Sequence, residues 1–332
     1  MKKLLITGTK QAEFVDSPTP ACPTDGVVVK AKVTAISAGT EIRVFRGIAV
    51  DDAGKFIHET KPYELPCENG YSMVAEVMEV GKNVDHLAVG ERVFVPEPHK
   101  EYAAVPSNLA VKLPETIPDE EAVMINILEV AHQGLRQGQP PVGGNVAVVG
   151  QGVIGLSALA YANAFGMRTA SLDTDSTRLH IAEEMGTRLA ASPVEEDAVA
   201  RVYDLFDGAG ADVTCEAASN WAGIRTAMEV TGIDGTVVVI ARHTQQPDFN
   251  PVGHPFLGKR LRIVTTYAYP DDHDRWSRNR SFALTVDLLA RRRLNIAPML
   301  THEFAWHELP DVYRRLDEGD KSIVGTTIRW DA

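Results

Sequence analysis

Six residues, Gly150-Gln151-Gly152-Val153-Ile154-Gly155, constrain this chain more than any others. They follow the apolar run Asn145–Val149 directly and open a second apolar stretch, VIGLSALAYANAFG. A strand that turns into a helix through glycines at this spacing is the start of a βαβ unit. The first glycine permits the tight turn, the second lets backbone approach a pyrophosphate, and the third lets helix and strand pack closely. The helix N-terminus then presents free N–H groups and the positive end of its dipole to phosphates. The next strand, RTASLDT, reaches Asp173, eighteen residues after Gly155. A carboxylate there accepts both adenosine ribose hydroxyls and repels a 2′-phosphate, so NAD(H) is expected over NADP(H). The alternative is an ordinary α/β turn closed by a capping aspartate. Arg178 is expected either against the adenine or at a solvated surface.

The texture on either side of residue 120 differs. Before it, DGVVVKAKVTAIS, GYSMVAEVMEVG, GERVFVPEP and EYAAVPSNLAVKLP are short, β-branched and broken by Gly and Pro, as in a β domain. From Pro118, EEAVMINILEVAHQGLRQG has helical periodicity, with Val123, Ile127 and Val130 near one face. Strands and helices then alternate, which predicts a parallel sheet covered on both faces. The expected fold is α/β. A compact β domain comes first and a doubly wound parallel-sheet domain follows it.

A formal charge of −12 argues against a nucleic-acid backbone as partner. No apolar run reaches the roughly 18 residues that span a bilayer, and the polar residues after MKKLLITG argue against a signal peptide. Cys22, Cys67 and Cys215 form neither a disulfide framework nor a metal knuckle, so a reducing cytoplasm is the expected setting.

With these motifs the chain resembles the medium-chain dehydrogenase/reductase superfamily, which implies a GroES-like β domain at 1–125 and 271–332 joined to a Rossmann domain at 126–270. Zinc-dependent members carry Cys-Gly-Thr-Asp and, about thirty residues later, Gly-His-Glu. Here the corresponding residues are Ala38-Gly39-Thr40-Glu41 and Gly70-Tyr71-Ser72, and the third ligand position falls near Ile125. Alanine and isoleucine cannot ligate zinc, and a phenol is a poor ligand beside thiolate and imidazole. The four-cysteine structural zinc lobe is replaced by VFVPEPHKEYAAV. SAGTE paired with GYS resembles a zinc-free subgroup typified by bacteriochlorophyllide a dehydrogenase, which oxidises a secondary hydroxyethyl group to acetyl using NAD. The resemblance thus implies an NAD-dependent secondary alcohol/ketone couple, no metal, a small-molecule substrate in specialised metabolism, and a homodimer or homotetramer.

Without a metal, hydride transfer still needs a group to take the hydroxyl proton and one to steady developing charge. Thr40 stands at the family's proton-relay position, or bonds its own turn. Tyr71, where the histidine ligand would point, is expected either to donate to a substrate oxygen or to fill the metal's volume. Glu41 matches the acid that orients that ligand, so a Glu41–Tyr71 hydrogen bond is expected. Ser37 and Ser72 are smaller hydroxyls beside them. Arg43 and Lys321 match cofactor-facing basic positions of relatives, though Arg43 reads equally as a surface cation. Glu129 and His132 sit on the helix before the fingerprint, where a lone histidine is more often packed. His243 follows GTVVVIA at the strand end where open sheets bind ligands, a candidate contact for substrate or nicotinamide. The competing readings are a zinc-free enoyl or quinone reductase, which would favour NADPH, and a non-catalytic NAD(H)-binding protein. Pocket shape is expected to depend on loops at 45–65, 95–102 and 265–280.

Overall fold

In the computed structural model, which describes residues 1–47, 65–243, 245–266 and 276–331, the chain divides into two units. Unit 1 comprises Met1–Asn126, Phe282–Arg291 and Leu300–Ala332, and unit 2 comprises Ile127–Ser281 and Arg292–Met299. Most of the expected pocket loops at 45–65 and 265–280, and the first half of DDHDRWSRNR, lie outside the described residues.

The N-terminal part of unit 1 contains β1 (Lys2–Gly8), β2 (Gln11–Asp16), β3 (Gly26–Ala35), helix α1 (Ala38–Phe45), β4 (Cys67–Glu68), β5 (Met73–Val80), β6 (Arg92–Val95), β7 (Tyr102–Pro106) and β8 (Val111–Lys112). Two helical segments follow, α2 (Asp119–Ala122) and α3 (Ile125–Gly138), where the sequence pattern predicts one continuous helix. At the break, the Val123 carbonyl accepts from Ser72 Oγ at 2.5 Å. A side-chain hydroxyl competing for a helix carbonyl is a common cause of such interruption.

Unit 2 continues with β9 (Asn145–Val149), α4 (Val153–Ala164), β10 (Arg168–Leu172), α5 (Ser176–Glu184), β11 (Leu189–Ala191), α6 (Ala198–Leu205), β12 (Ala211–Glu216), α7 (Trp221–Val230), β13 (Thr231–Val239), α8 (Phe256–Lys259) and β14 (Arg262–Thr265). Helix α9 (Arg278–Ala290) leads to the C-terminal elements of unit 1, β15 (Leu300–Ala305), α10 (Leu309–Asp317) and β16 (Gly325–Arg329).

The sheet of unit 2 has strand order β11-β10-β9-β12-β13-β14 and every pair is parallel. That is the doubly wound Rossmann order, with the switch point between β9 and β12. Four of the five residues of β9 are buried, as both faces of a covered parallel sheet require. Helix α4 is apolar nearly all round and buries nine of its 12 residues. Ala147, Leu172, Val202, Ile224 and Val237 join in this unit's core.

Unit 1 is a β unit of the GroES-like kind. Its seven-stranded sheet runs β15-β16-β3-β5-β6-β8 with β7 also on β3, beside a three-stranded sheet β2-β1-β4. One core gathers Val29, Met73, Val93 and Val105, and a second packs Ile36 and Phe45 of the N-terminal part on Leu309 and Tyr313 of α10. Cys22, Cys67 and Cys215 are free thiols. Among the described residues no helix is long and apolar enough to cross a membrane.

The turn from β9 to α4 needs its outer glycines for different reasons. Gly150 has φ +90°, and a Cβ on Gly155 would stand 1.8 Å from the Gly150 carbonyl oxygen. Gly155→Ala should therefore cost roughly 1–3 kcal/mol of stability, as overpacking does. Gly152, with nothing within 4 Å of its missing Cβ, should tolerate alanine to within about 0.5 kcal/mol. Urea unfolding of the two variants checks this, and equal stabilities would contradict it.

Candidate active site

The cofactor turn of unit 2 is built from backbone. Gln151 N donates to Asp173 Oδ2 at 2.6 Å, and Asp175 N donates to Oδ1 at 2.9 Å. These bonds fix the carboxylate beside the glycine turn, while each oxygen keeps a further lone pair for a hydroxyl donor. Gln151 is buried, its amide nitrogen on the Val148 carbonyl at 2.8 Å and its Oε1 without a partner. Gly152 caps α4 with no side chain, so the first amides of the helix are screened by nothing of its own. Val153 is buried and Ile154 half-buried on that first turn. Arg178 lies in the first turn of α5, which Asp175 caps, and its buried Nε has no partner. An open cradle, a fixed acid and an orphaned cation suit the diphosphate and adenosine ribose of a dinucleotide.

Unit 1 holds the candidate proton-handling groups. Ser37 precedes α1, and the Tyr71 hydroxyl makes a short hydrogen bond to Ser37 Oγ. Asn126 Nδ2 donates to the Tyr71 carbonyl at 3.0 Å. Next to the expected third ligand position at Ile125, which is wholly buried, it is thus the Asn126 side chain that reaches the Tyr71 backbone. Thr40 is half-buried in the first turn of α1, where its backbone amide meets the Ser37 carbonyl at 3.0 Å. Ser72 is buried and spends its hydroxyl on the Val123 carbonyl, which removes it from the candidate substrate contacts.

The expected Glu41–Tyr71 bond is replaced by another. The fully buried Glu41 accepts from Ser37 N at 2.6 Å through Oε1, and from His99 Nε2 at 2.9 Å and the Tyr313 hydroxyl through Oε2. Asn69 Nδ2 supports Tyr313 at 3.3 Å and the Glu41 carbonyl at 3.1 Å. Because the carboxylate only accepts, His99 Nε2 carries the proton, and Nδ1 can take the Thr34 hydroxyl at 2.7 Å. Thr34 Oγ1 in turn accepts Trp330 Nε1 at 3.0 Å. Burial, followed by the charge of Glu41, pushes the Tyr313 phenol well above its ordinary range. A buried carboxylate this fully paired is a positioning group: it ties the start of α1, and with it Ser37, to the body of the unit. The acid acts on the Tyr71–Ser37 pair through backbone, not by direct contact.

Sequence reasoning missed His99, Tyr313 and Asn69. His99 stands alone in VPEPHKEY and Tyr313 lies 272 residues from Glu41, so no local spacing announces the network; the lone buried acid was its only signal.

The remaining candidates divide by unit. In unit 1, Arg43 is half-buried on α1, and Lys321 is exposed on the turn before β16. In unit 2, His132 is buried with its Nδ1 on Ser281 Oγ at 2.5 Å and its ring 5.2 Å from Tyr161 and 5.1 Å from Trp276, the packed alternative. Burial, then Arg136, pushes its pKa down to about 4. Burial pushes the Glu129 carboxyl up to about 7, against the pull of Arg278. His243 Nε2 pairs with Glu216 Oε2 at 2.8 Å.

A zinc ion, which this fold family commonly holds, finds a poor donor set here. The residues at its place are the Ala38 methyl, the Tyr71 phenol engaged with Ser37, and the Asn126 amide engaged with a carbonyl. Among the described residues no group of three or more His, Cys, Asp or Glu side chains is placed to hold a metal ion.

Comparison with known proteins agrees with the fold. Residues 153–284 match the family model described as zinc-binding dehydrogenase. Sorbitol dehydrogenase of Bacillus subtilis is 22% identical, the match covering 95% of this chain and 93% of that protein. A probable D-xylulose reductase A of Aspergillus clavatus is 26% identical over the same shares, 95% and 93%. The crystal structure of 2R,3R-butanediol dehydrogenase from Bacillus subtilis superposes with TM-score 0.83 at 22% identity, covering 99% of each chain. Together the matches show that this chain has the fold of the medium-chain alcohol and polyol dehydrogenases.

Glu129 carries a pH signature. Its folded pKa, about 7, lies above the ordinary 4.5, so its contribution to stability is complete below pH 4.5 and is lost as pH rises through 7. The loss amounts to about 3 kcal/mol. Urea unfolding from pH 4.5 to 8 should show Glu129→Gln gaining on the parent by that amount as pH rises; a constant difference would contradict it. His132, with its depressed pKa, acts oppositely, losing stability as pH falls from 6.5 towards 4, and is common to both proteins.

Proposed function

We propose that this relative of the zinc-binding dehydrogenases is an NAD(H)-dependent oxidoreductase that interconverts a secondary alcohol and a ketone without a catalytic zinc. The observation that carries the reading is the β9–α4 turn, its open Gly152 cradle closed on one side by the Asp173 carboxylate. That acid favours an unphosphorylated adenosine ribose and speaks against the NADPH-preferring enoyl or quinone reductases. The polyol and diol dehydrogenases among the relatives make a hydroxylated small molecule the expected substrate class.

The bound nicotinamide supplies the hydride acceptor or donor. The chain's own task is the proton. In alcohol oxidation one hydride leaves the carbinol carbon and one proton leaves its hydroxyl. We assign that proton's path to the Tyr71–Ser37 hydroxyl pair and to Thr40 in the first turn of α1, each hydroxyl passing one proton on as it takes another, so that the proton ends on solvent water. In ketone reduction the Tyr71 phenol donates to the carbonyl oxygen as it gains charge. Glu41 holds Ser37 in place through its amide, and Asn126 holds the Tyr71 backbone. The residues at the zinc position support a metal-free step, since they offer two hydroxyls and an amide in place of thiolate and imidazole.

Titration calorimetry should give NADH a Kd at least tenfold below that of NADPH. Turnover of secondary alcohols, followed at the nicotinamide absorbance band, should survive exhaustive chelation. Tyr71→Phe should lower kcat roughly a hundredfold with little change in KM, the scale of a general acid–base group. Unchanged turnover in that variant, stoichiometric zinc in the purified protein, or binding of neither coenzyme would each overturn the reading. Binding without turnover of any alcohol, enal or quinone would instead favour a non-catalytic NAD(H)-binding protein.

A further inference from the structure

The ends of β12 and β13 carry a paired acid and histidine that the reading above does not use. Asp173 marks the β9–β10 half of the Rossmann sheet as the adenosine half, so the half across the switch point takes the second nucleotide. On that side the chain runs against the glycine turn: Ala217 N donates to the Val149 carbonyl at 2.8 Å, and a Cβ on Gly150 would meet Ala218 N at 2.7 Å. Glu216, the last residue of β12, is fully buried. Its Oε1 accepts from Ala218 N at 2.8 Å and Ser219 N at 2.9 Å, and its Oε2 pairs with His243 Nε2 at 2.8 Å. The His243 side chain is 11% exposed, and its ring lies 5.2 Å from that of Trp221.

This pairing fixes the imidazole. A carboxylate accepts only, so Nε2 carries a proton, and in the neutral imidazole Nδ1 then offers a lone pair. Nδ1 is buried and has no hydrogen-bond partner. Buried polar atoms are seldom left so, and an exception at a ligand-binding strand end calls for a donor. A nicotinamide nucleotide brings one group that only donates through nitrogen, the NH2 of its carboxamide.

We propose that His243 is a positioning residue for the nicotinamide ring: held by Glu216, its Nδ1 accepts a hydrogen bond from the carboxamide NH2. The inference rests on the dinucleotide reading and names which side chain recognises the reactive half of the coenzyme. Such a contact would fix the rotation of the ring about its glycosidic bond, and with it the face from which hydride leaves.

The test is calorimetric binding to the full chain of three probes: NADH, reduced 3-acetylpyridine adenine dinucleotide, in which a methyl replaces the NH2, and ADP-ribose, which lacks the ring. The parent protein should bind NADH about tenfold more tightly than the acetylpyridine analogue. His243→Phe, which keeps ring volume and removes both nitrogens, should bring NADH down to the analogue's affinity and leave ADP-ribose within twofold. Equal affinity of the parent for NADH and the analogue overturns the proposal even if the variant does not fold. So does a variant that weakens both dinucleotides alike, which would place the contact on the ribose, or one that weakens ADP-ribose as much as NADH, which would mark a structural role. If the parent binds neither NADH nor ADP-ribose, the dinucleotide reading itself falls.

Discussion

The approach of α4 to β9 at Gly155 is the contact on which the rest of unit 2 depends. A helix pressed this close to its strand leaves no room for a side chain, and the constraint has three consequences at once. The helix N-terminus lies at the strand's end, the turn between them is short enough to leave Gly152 open, and the loop after β12 fits against Gly150. Asp173 and Gln151 then lock the turn from the other side. The cradle is therefore made before any ligand arrives, with few groups left to order on binding, which is how a site of main-chain amides gains affinity.

Unit 1 solves a different problem, the burial of a charge. Glu41 lies wholly out of water, and an unpaired carboxylate there would be costly. Three donors, Ser37 from the preceding turn and His99 and Tyr313 from distant segments, remove that cost and make the carboxylate a junction. In the zinc-type pattern the acid at this position steadies a metal ligand. Here the neighbouring residue is a phenol on a serine, and the acid has turned to the scaffold. Both observations accord with the metal-free reading proposed above.

The legibility of this protein in its sequence follows the range of the interactions. The turn, its flanking strand and helix, and the acid ending the next strand lie within 30 residues and obey fixed periodicities, so Gly150, Gly155 and Asp173 could be read directly. The departure from the zinc-type pattern at Ala38 and Tyr71 was legible too, because both stand at fixed offsets from the glycines of that pattern. What could not be read is whatever long-range packing decides. The exchange of Tyr71 for Tyr313 as partner of Glu41, the use of Ser72 to break a helix, and the place of Asn126 beside Tyr71 all join segments dozens to hundreds of residues apart. His132 illustrates the converse: chemically suggestive in sequence, it is packed among Tyr161, Trp276 and Ser281.

The sheet order of unit 1 bears on how the chain is made. β16, from the last residues, lies between β15 and β3 and pairs with β3 from Val33 to Ala35, while Tyr313 closes the Glu41 junction from the same C-terminal stretch. On the ribosome, β3 and Glu41 emerge hundreds of residues before their partners. The strands of unit 2, all within one continuous stretch, are made before β15, α10 and β16 emerge. Until β16 and Tyr313 emerge, one side of β3 lacks its neighbour and a buried carboxylate lacks a donor. Unit 1 is thus begun before unit 2 and completed after it.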